Sequence, residues 1–521
     1  MNDSTTVVSV LSFGAGLILL YRLNLRLYRD HFSPLGLLIY SWFVPLWFRT
    51  MNLSELETDW TARSYIAVGL VSTILVATSL LPALRKGHNP ELAVNREWFQ
   101  RSVSTLDSVG ARSAFACAFL VLFGLYLWTE FVTNPAGVAV LSALTGRLDQ
   151  ELAAYYNWGK IEGRTALTSV FLTMTSWLYP LSALLYLQFT RTKGFFGKSV
   201  LLTMCLLTPA FGLMKLSKTD VLTSWSALGL AMYYTYRFRD HHRSFRLPLI
   251  VKLRVAVMVV CLVTVPFWLT SVLRVGDQGT AAAGAILIDW IRFRFDEHTP
   301  LNTFLATVYT YTALCFENFN RFVNSYEGGA NLGGSVFRPI LSAFAQGRIA
   351  DELMSQVDFN YVVEGAAIAG TFMTPVFAEG GWALLLTATL AYGVLLNSIY
   401  GRLRRRPSHA NLLLYCNFAF CWMFLFFSNA FATLLFYTTA GAIVLVGWLF
   451  PTPAASGVAM RTPAFADLGP LHRKDRGWAS DRQGHRQVDA PPQLRARVVS
   501  RSAQRVPSRR GPETAPAPGG E

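Results

Sequence analysis

Between Thr307 and Asn360 the chain reads TVYTYTALCFENFNRFVNSYEGGANLGGSVFRPILSAFAQGRIADELMSQVDFN, and three kinds of side chain in it could do chemistry. The first is arginine. Arg321 and Arg338 sit among aromatics and glycines. A guanidinium fork matches a phosphate bidentately, and a preorganised one stabilises charge developing on a phosphate leaving group. The second is the carboxylate of Glu317, four residues before Arg321. On a helix the two share a face, so Glu317 either pairs with the arginine or serves as a general base on a hydroxyl nucleophile. The third is an interleaving of Tyr309, Tyr311, Phe316, Phe319 and Phe322 with Asn318 and Asn320. Apolar ring faces beside amide donors and acceptors suit a sugar, which has one C–H face and a rim of hydroxyls. Asn318, Asn320 and Tyr311 are therefore candidate substrate-binding residues.

Further candidates lie upstream. Arg274, Arg292 and Arg294 belong to the same long segment, where Arg292 and Arg294 stand beside Asp289, Asp296 and Glu297 as surface ion pairs. Lys215 and Lys218 flank a polar turn in MKLSKTDVL, where two ammonium groups could hold a phosphate or simply reach the membrane interface. His298, in DEHTPLN, carries an imidazole able to titrate near neutral pH. No dinucleotide fingerprint, phosphate-binding loop, HExxH or paired-cysteine zinc pattern is present, so neither a cofactor nor a metal is expected.

These residues must be positioned by a membrane bundle. The chain has 521 residues, 52% of them hydrophobic and 15% charged, and apolar runs long enough to cross a bilayer recur along it. The pattern predicts an all-α polytopic bundle of about eleven spans. Met1–Thr6 has no basic region, so the first span is expected to remain as an anchor. A net charge of +15 is concentrated in alternate short loops and the C-terminal tail, which is an orientation signal and excludes a nucleic-acid surface. Arg22, Arg26 and Arg29, then Arg191, Lys193 and Lys198, then Arg402 to Arg406 mark inward loops; the N-terminus and the segment from Arg274 to Glu379 face outward. Four regions follow: an N-terminal membrane bundle at 1–273, an outward loop subdomain at 274–379, C-terminal spans at 380–450, and a Pro- and Arg-rich tail at 451–521. The tail's composition cannot offset ordering entropy, so it is expected to be disordered and cytoplasmic.

The run YTYTALCFENFNRFV, the Gly-rich gap, VFRPI, and then TFMTPVFAEGGWALLL with AYGVLLNSIYGRL resembles the outer-loop pattern of bacterial O-antigen polymerases, also called oligosaccharide repeat unit polymerases. The resemblance covers Lys218 to Arg406, with Lys218 standing where the family often has Arg. It implies an inner-membrane glycosyltransferase of GT-C type that needs neither metal nor nucleotide sugar. Its substrate would be undecaprenyl-pyrophosphate-linked oligosaccharide, polymerised into O-antigen, capsule or exopolysaccharide. Membrane lipid, a chain-length regulator and a flippase are its implied partners. An O-antigen ligase is the nearest alternative, since His298 and Asn302 resemble a His and Asn of ligase loops. A transporter or flippase of lipid-linked sugars is a second alternative. It would call for ionisable residues within the spans, which are almost free of them.

Overall fold

Pro34 and Pro45 bracket the second apolar run, and they shape the fold's first corner. In the computed structural model, Ser33 caps a short helix by accepting from the Gly36 amide at 3.2 Å, with Pro34 in its first turn. Pro45 has no N–H to offer the carbonyl four residues back, and the ladder widens into a π turn over Ile39–Phe43 before the helix resumes. The structure describes residues 3–84, 96–131, 171, 174–214, 218–239, 288–295, 297, 299–326, 370–428, 431 and 433–452.

The elements in order are α1 (Asp3–Tyr28), α2 (Pro34–Leu38), the π turn, α3 (Val44–Thr50), α4 (Ala62–Leu84), α5 (Arg96–Ser104), α6 (Val109–Phe131), α7 (Leu178–Arg191), α8 (Phe195–Met214), α9 (Lys218–Arg239), α10 (Pro300–Ser325), α11 (Met373–Arg405), α12 (His409–Met423) and α13 (Leu434–Leu449). Among the described residues no strand forms, only a single antiparallel bridge between Ser54 and Phe293. The protein is an all-α membrane protein. Among the described residues four helices are long and apolar enough to span: Thr6–Tyr28, Ala62–Leu84, Val109–Thr129 and Met373–Arg405. Shorter apolar stretches lie at Phe195–Ala210 and Phe436–Leu449. The spans expected at 166–189 and 255–273 fall partly and wholly outside the described residues. Lipid-facing character is plain on the exposed faces, for example Leu11, Leu19, Leu120, Val121 and Leu390.

The chain divides into two units, Met1–Ser456 and Gly457–Glu521, and the second lies outside the described residues. Within the first, α4 connects two polar ends. Its 23 residues span roughly 34 Å at 1.5 Å per residue. At one end the Tyr28 hydroxyl donates to the Ser79 carbonyl at 2.6 Å, and Asp30, fully buried, accepts from Tyr233, Tyr234 and Tyr400 at 2.9, 2.9 and 2.7 Å and from the Phe32 amide at 3.0 Å. Arginines gather here too. Arg112 and Arg191 reach Asp107, Arg237 donates to the Arg29 carbonyl, and Arg404 lies against the rings of Tyr28 and Tyr400.

At the opposite end stands α10. Thr299 caps it by accepting from the Asn302 amide at 3.1 Å, with Pro300 at the first helical position. Its N-terminal half builds a small core of Ile288, Ile291, Phe293, Tyr309, Ala313 and Leu314. Its C-terminal half joins the main core through Phe316, Phe319 and Phe322, with Phe316 edge-on to Trp42 at 5.0 Å. α11 begins eight residues before the apolar run that suggests a span at 381–400. It kinks where that run starts, because Gly380 and Gly381 leave helical geometry and Gly381 takes φ +56°.

Candidate functional site

The candidate site forms where the C-terminal half of α10 meets the connection between α3 and α4. A 26-residue helix with period 3.6 puts Glu317, Asn320, Arg321 and Asn324 on one face, and that face receives residues 49–64. The centre is Arg49, at the end of α3. Its Nη1 donates to Glu57 Oε2 and its Nη2 to Glu317 Oε2, both at 2.9 Å, so one guanidinium bridges two buried carboxylates. Its guanidinium carbon lies 5.7 Å from the centroid of the Trp60 ring.

Glu317 has a side chain with no exposed surface. Besides Arg49, its Oε1 accepts from the Thr58 amide at 3.1 Å, the Thr58 hydroxyl at 2.5 Å, Asn320 Nδ2 at 3.3 Å and Arg321 Nε at 3.4 Å. A carboxyl so fully supplied with donors and sealed from solvent orients its partners. The ion pair with Arg321 is present, beside a shorter one with Arg49. Arg321 is fixed at its Nε by Glu317 and at an Nη by the Leu56 carbonyl, and its side chain is still 28% exposed. Such a guanidinium is oriented, charged and accessible.

Around this centre the amides continue. Asn320 accepts from the Ser64 hydroxyl at 2.6 Å and donates to Thr58 Oγ1 at 3.0 Å, while Asn324 accepts from Thr61 at 2.6 Å. These bonds tie α10 to the start of α4. Glu57 accepts from the Tyr309 hydroxyl, and Tyr309 in turn accepts from the Leu53 amide at 3.0 Å. Burial pushes the Glu57 carboxyl up to about 7, with Arg49 and the Tyr309 hydrogen bond pulling the other way and Glu317 adding to the rise. Desolvation raises the Tyr309 phenol well above its ordinary value, and the adjacent Glu57 adds to it.

Of the residues singled out in the sequence, the structure brings Glu317, Asn320 and Arg321 together. Asn318 is fully buried on another face of α10, and the Tyr311 ring packs 5.6 Å from Phe427 rather than joining the cluster. Arg338, Lys215, Arg274 and His298 lie outside the described residues, as does the side chain of Lys218, which opens α9. Asn302, four residues after His298 in the stretch that resembles a ligase loop, braces the helix start: its side chain donates to the Glu297 carbonyl at 2.8 Å. Arg49, Thr58, Ser64 and Arg63 were missed by sequence reasoning. The signal for the arginines was present, since Arg49 and Arg63 flank a loop that the Lys/Arg pattern assigns to the outer side, where basic residues are expected to be few. Among the described residues no group of three or more His, Cys, Asp or Glu side chains could hold a metal, and the described cysteines are free. Compared with protein-family models, curated proteins and solved structures, the chain matches none.

Proposed function

We propose that this protein is a membrane glycosyltransferase that polymerises undecaprenyl-pyrophosphate-linked oligosaccharide repeat units at the outer face of a bacterial inner membrane, with a GT-C-type bundle as its frame. The observation that carries the reading is Arg321: a guanidinium pinned by a buried carboxylate and a backbone carbonyl, yet accessible at the mouth of a membrane bundle. A cation preorganised in that way stabilises charge developing on a departing pyrophosphate without reorganising during the reaction. Arg338, from the same segment, is assigned the same task. The half-buried aromatics Trp60, Tyr326 and Trp382 at this end offer faces for sugar rings. Glu317 acts as a positioning residue, because its carboxylate reaches Arg321 and not the surface.

Deletion in the native host, followed by electrophoresis of surface glycans, tests the reading. Single repeat units with no ladder are the expected result. Polymer that is made but left unattached to its acceptor would mean a ligase, lipid-linked units trapped inside would mean a flippase, and an unchanged ladder would remove the enzyme reading.

A further inference from the structure

Arg63, in the first turn of α4, differs from its neighbours Arg49 and Arg321 in having no acceptor among the described residues. Its guanidinium carbon lies 5.5 Å from the centroid of the Phe377 ring, and among the described residues it makes neither a hydrogen bond nor an ion pair. At this end of the bundle Glu57 and Glu317 are already engaged by Arg49. Phe377 is no loose partner: it is 2% exposed and held edge-on by Trp382 at 5.6 Å and by Phe319 and Phe322 at 6.4 Å. The ring therefore removes water from one face of a half-buried cation, while its five N–H groups keep their edges unsatisfied. A partly desolvated guanidinium with free donors is completed by an anion, and its fork fits phosphate best.

What lies beneath Arg63 specifies the anion further. Ile66 and Leu70 follow at i+3 and i+7, on the same helical face, and are 55% and 42% exposed. A cation at the outward mouth above an apolar stripe down the membrane-spanning helix matches a charged head joined to a hydrocarbon chain. We infer that Arg63, backed by Phe377, binds the phosphate of a membrane-anchored phosphate ester whose chain lies along Ile66 and Leu70. This rests on the proposed reading in naming the lipid-linked pyrophosphate as the ester; an ordinary phospholipid headgroup carries the same chemistry.

The test uses the purified full chain in nanodiscs of neutral phosphatidylcholine, followed by tryptophan fluorescence, because Trp382 and Trp60 lie close to the site. Farnesyl pyrophosphate is titrated in one arm, and phosphatidylglycerol is added to the discs in the other. Arg63→Gln is expected to weaken binding by about ten- to a hundredfold, the effect of losing a charge-assisted contact. Arg63→Glu should abolish it, and both variants should keep the wild-type unfolding midpoint, since Arg63 supports no other residue. Loss in the farnesyl pyrophosphate arm assigns the site to the lipid-linked pyrophosphate, and loss in the phosphatidylglycerol arm alone assigns it to a phospholipid headgroup. Wild-type binding by Arg63→Gln in both arms would overturn the inference, as would a large fall in its unfolding midpoint. The glycan ladder is read separately: a site confirmed by binding in a protein whose deletion leaves the ladder intact would defeat the polymerase reading and keep the site.

Discussion

Arg49 and Glu317 meet at 2.9 Å although 268 positions separate them, and their contact joins the end of α3 to the middle of α10. Both side chains are shielded, at 14% and 0% exposure, and the same arginine also holds Glu57. Breaking such a buried set by removing one partner is expensive, because two carboxylates lose their shared counter-charge while their desolvation remains. Arg49→Ala is expected to destabilise the protein by about 3–5 kcal/mol. Thermal unfolding in detergent measures this. A midpoint within experimental error of wild type would contradict the structural role.

Glu57 makes this end respond to pH. Its carboxyl is raised from 4.5 to about 7, burial being the main cause. An acid whose folded value exceeds its unfolded value holds its proton more tightly when folded. Its contribution is therefore fully present below about pH 4.5 and is lost as pH rises through about 7. Unfolding midpoints should fall between pH 5 and pH 8, with a slope of at most about 1.4 kcal/mol per pH unit from this one proton. Glu57→Gln, which is neutral throughout, should flatten that slope; an unchanged slope would assign the dependence to other groups.

At the other end of the bundle, Asp30 gathers three tyrosine hydroxyls and a backbone amide from the α1–α2 turn, α9 and α11. Asp30→Ala leaves these donors buried without their acceptor and is expected to cost about 3–5 kcal/mol. Tyr400→Phe removes one hydroxyl and should cost only about 1–2 kcal/mol. Membrane abundance together with unfolding midpoints reports both, and equal losses would mean that the cluster is not centred on Asp30.

Arg321 should act through the shape of its fork as well as its charge. In membranes supplied with lipid-linked repeat units, Arg321→Ala is expected to lower the polymerisation rate by about a hundred- to a thousandfold at normal protein level. Arg321→Lys should fall nearly as far, since an ammonium cannot bridge two oxygens in a plane. Full activity in Arg321→Ala would transfer the role elsewhere, with Arg338 next in line.

Orientation can be read from opposite ends of the same molecule. Glu55 is exposed beside the candidate site, and Phe195 is 87% exposed at the start of α8, near the basic end. In a cysteine-free background, Glu55→Cys should be labelled by an impermeant thiol reagent on intact cells and Phe195→Cys only after the membrane is opened. The reverse pattern would invert the topology drawn from Lys and Arg placement.

The long apolar runs alone determined that this chain is helical and crosses a membrane, because burying a backbone in lipid leaves the helix as the way for one segment to satisfy its own hydrogen bonds. Local spacing also determined that Glu317 and Arg321 share a helical face. Sequence could not supply the partners of Glu317 beyond its own helix, since Arg49 and Thr58 lie about 260 residues away. It could not find that Arg63 has no acceptor among the described residues, because a cation's partners are a property of everything packed around it. Nor could it foresee Asp30 as an anchor: the tyrosines that hold it come from helices far apart in the chain, and only their packing makes one buried carboxylate the meeting point of three.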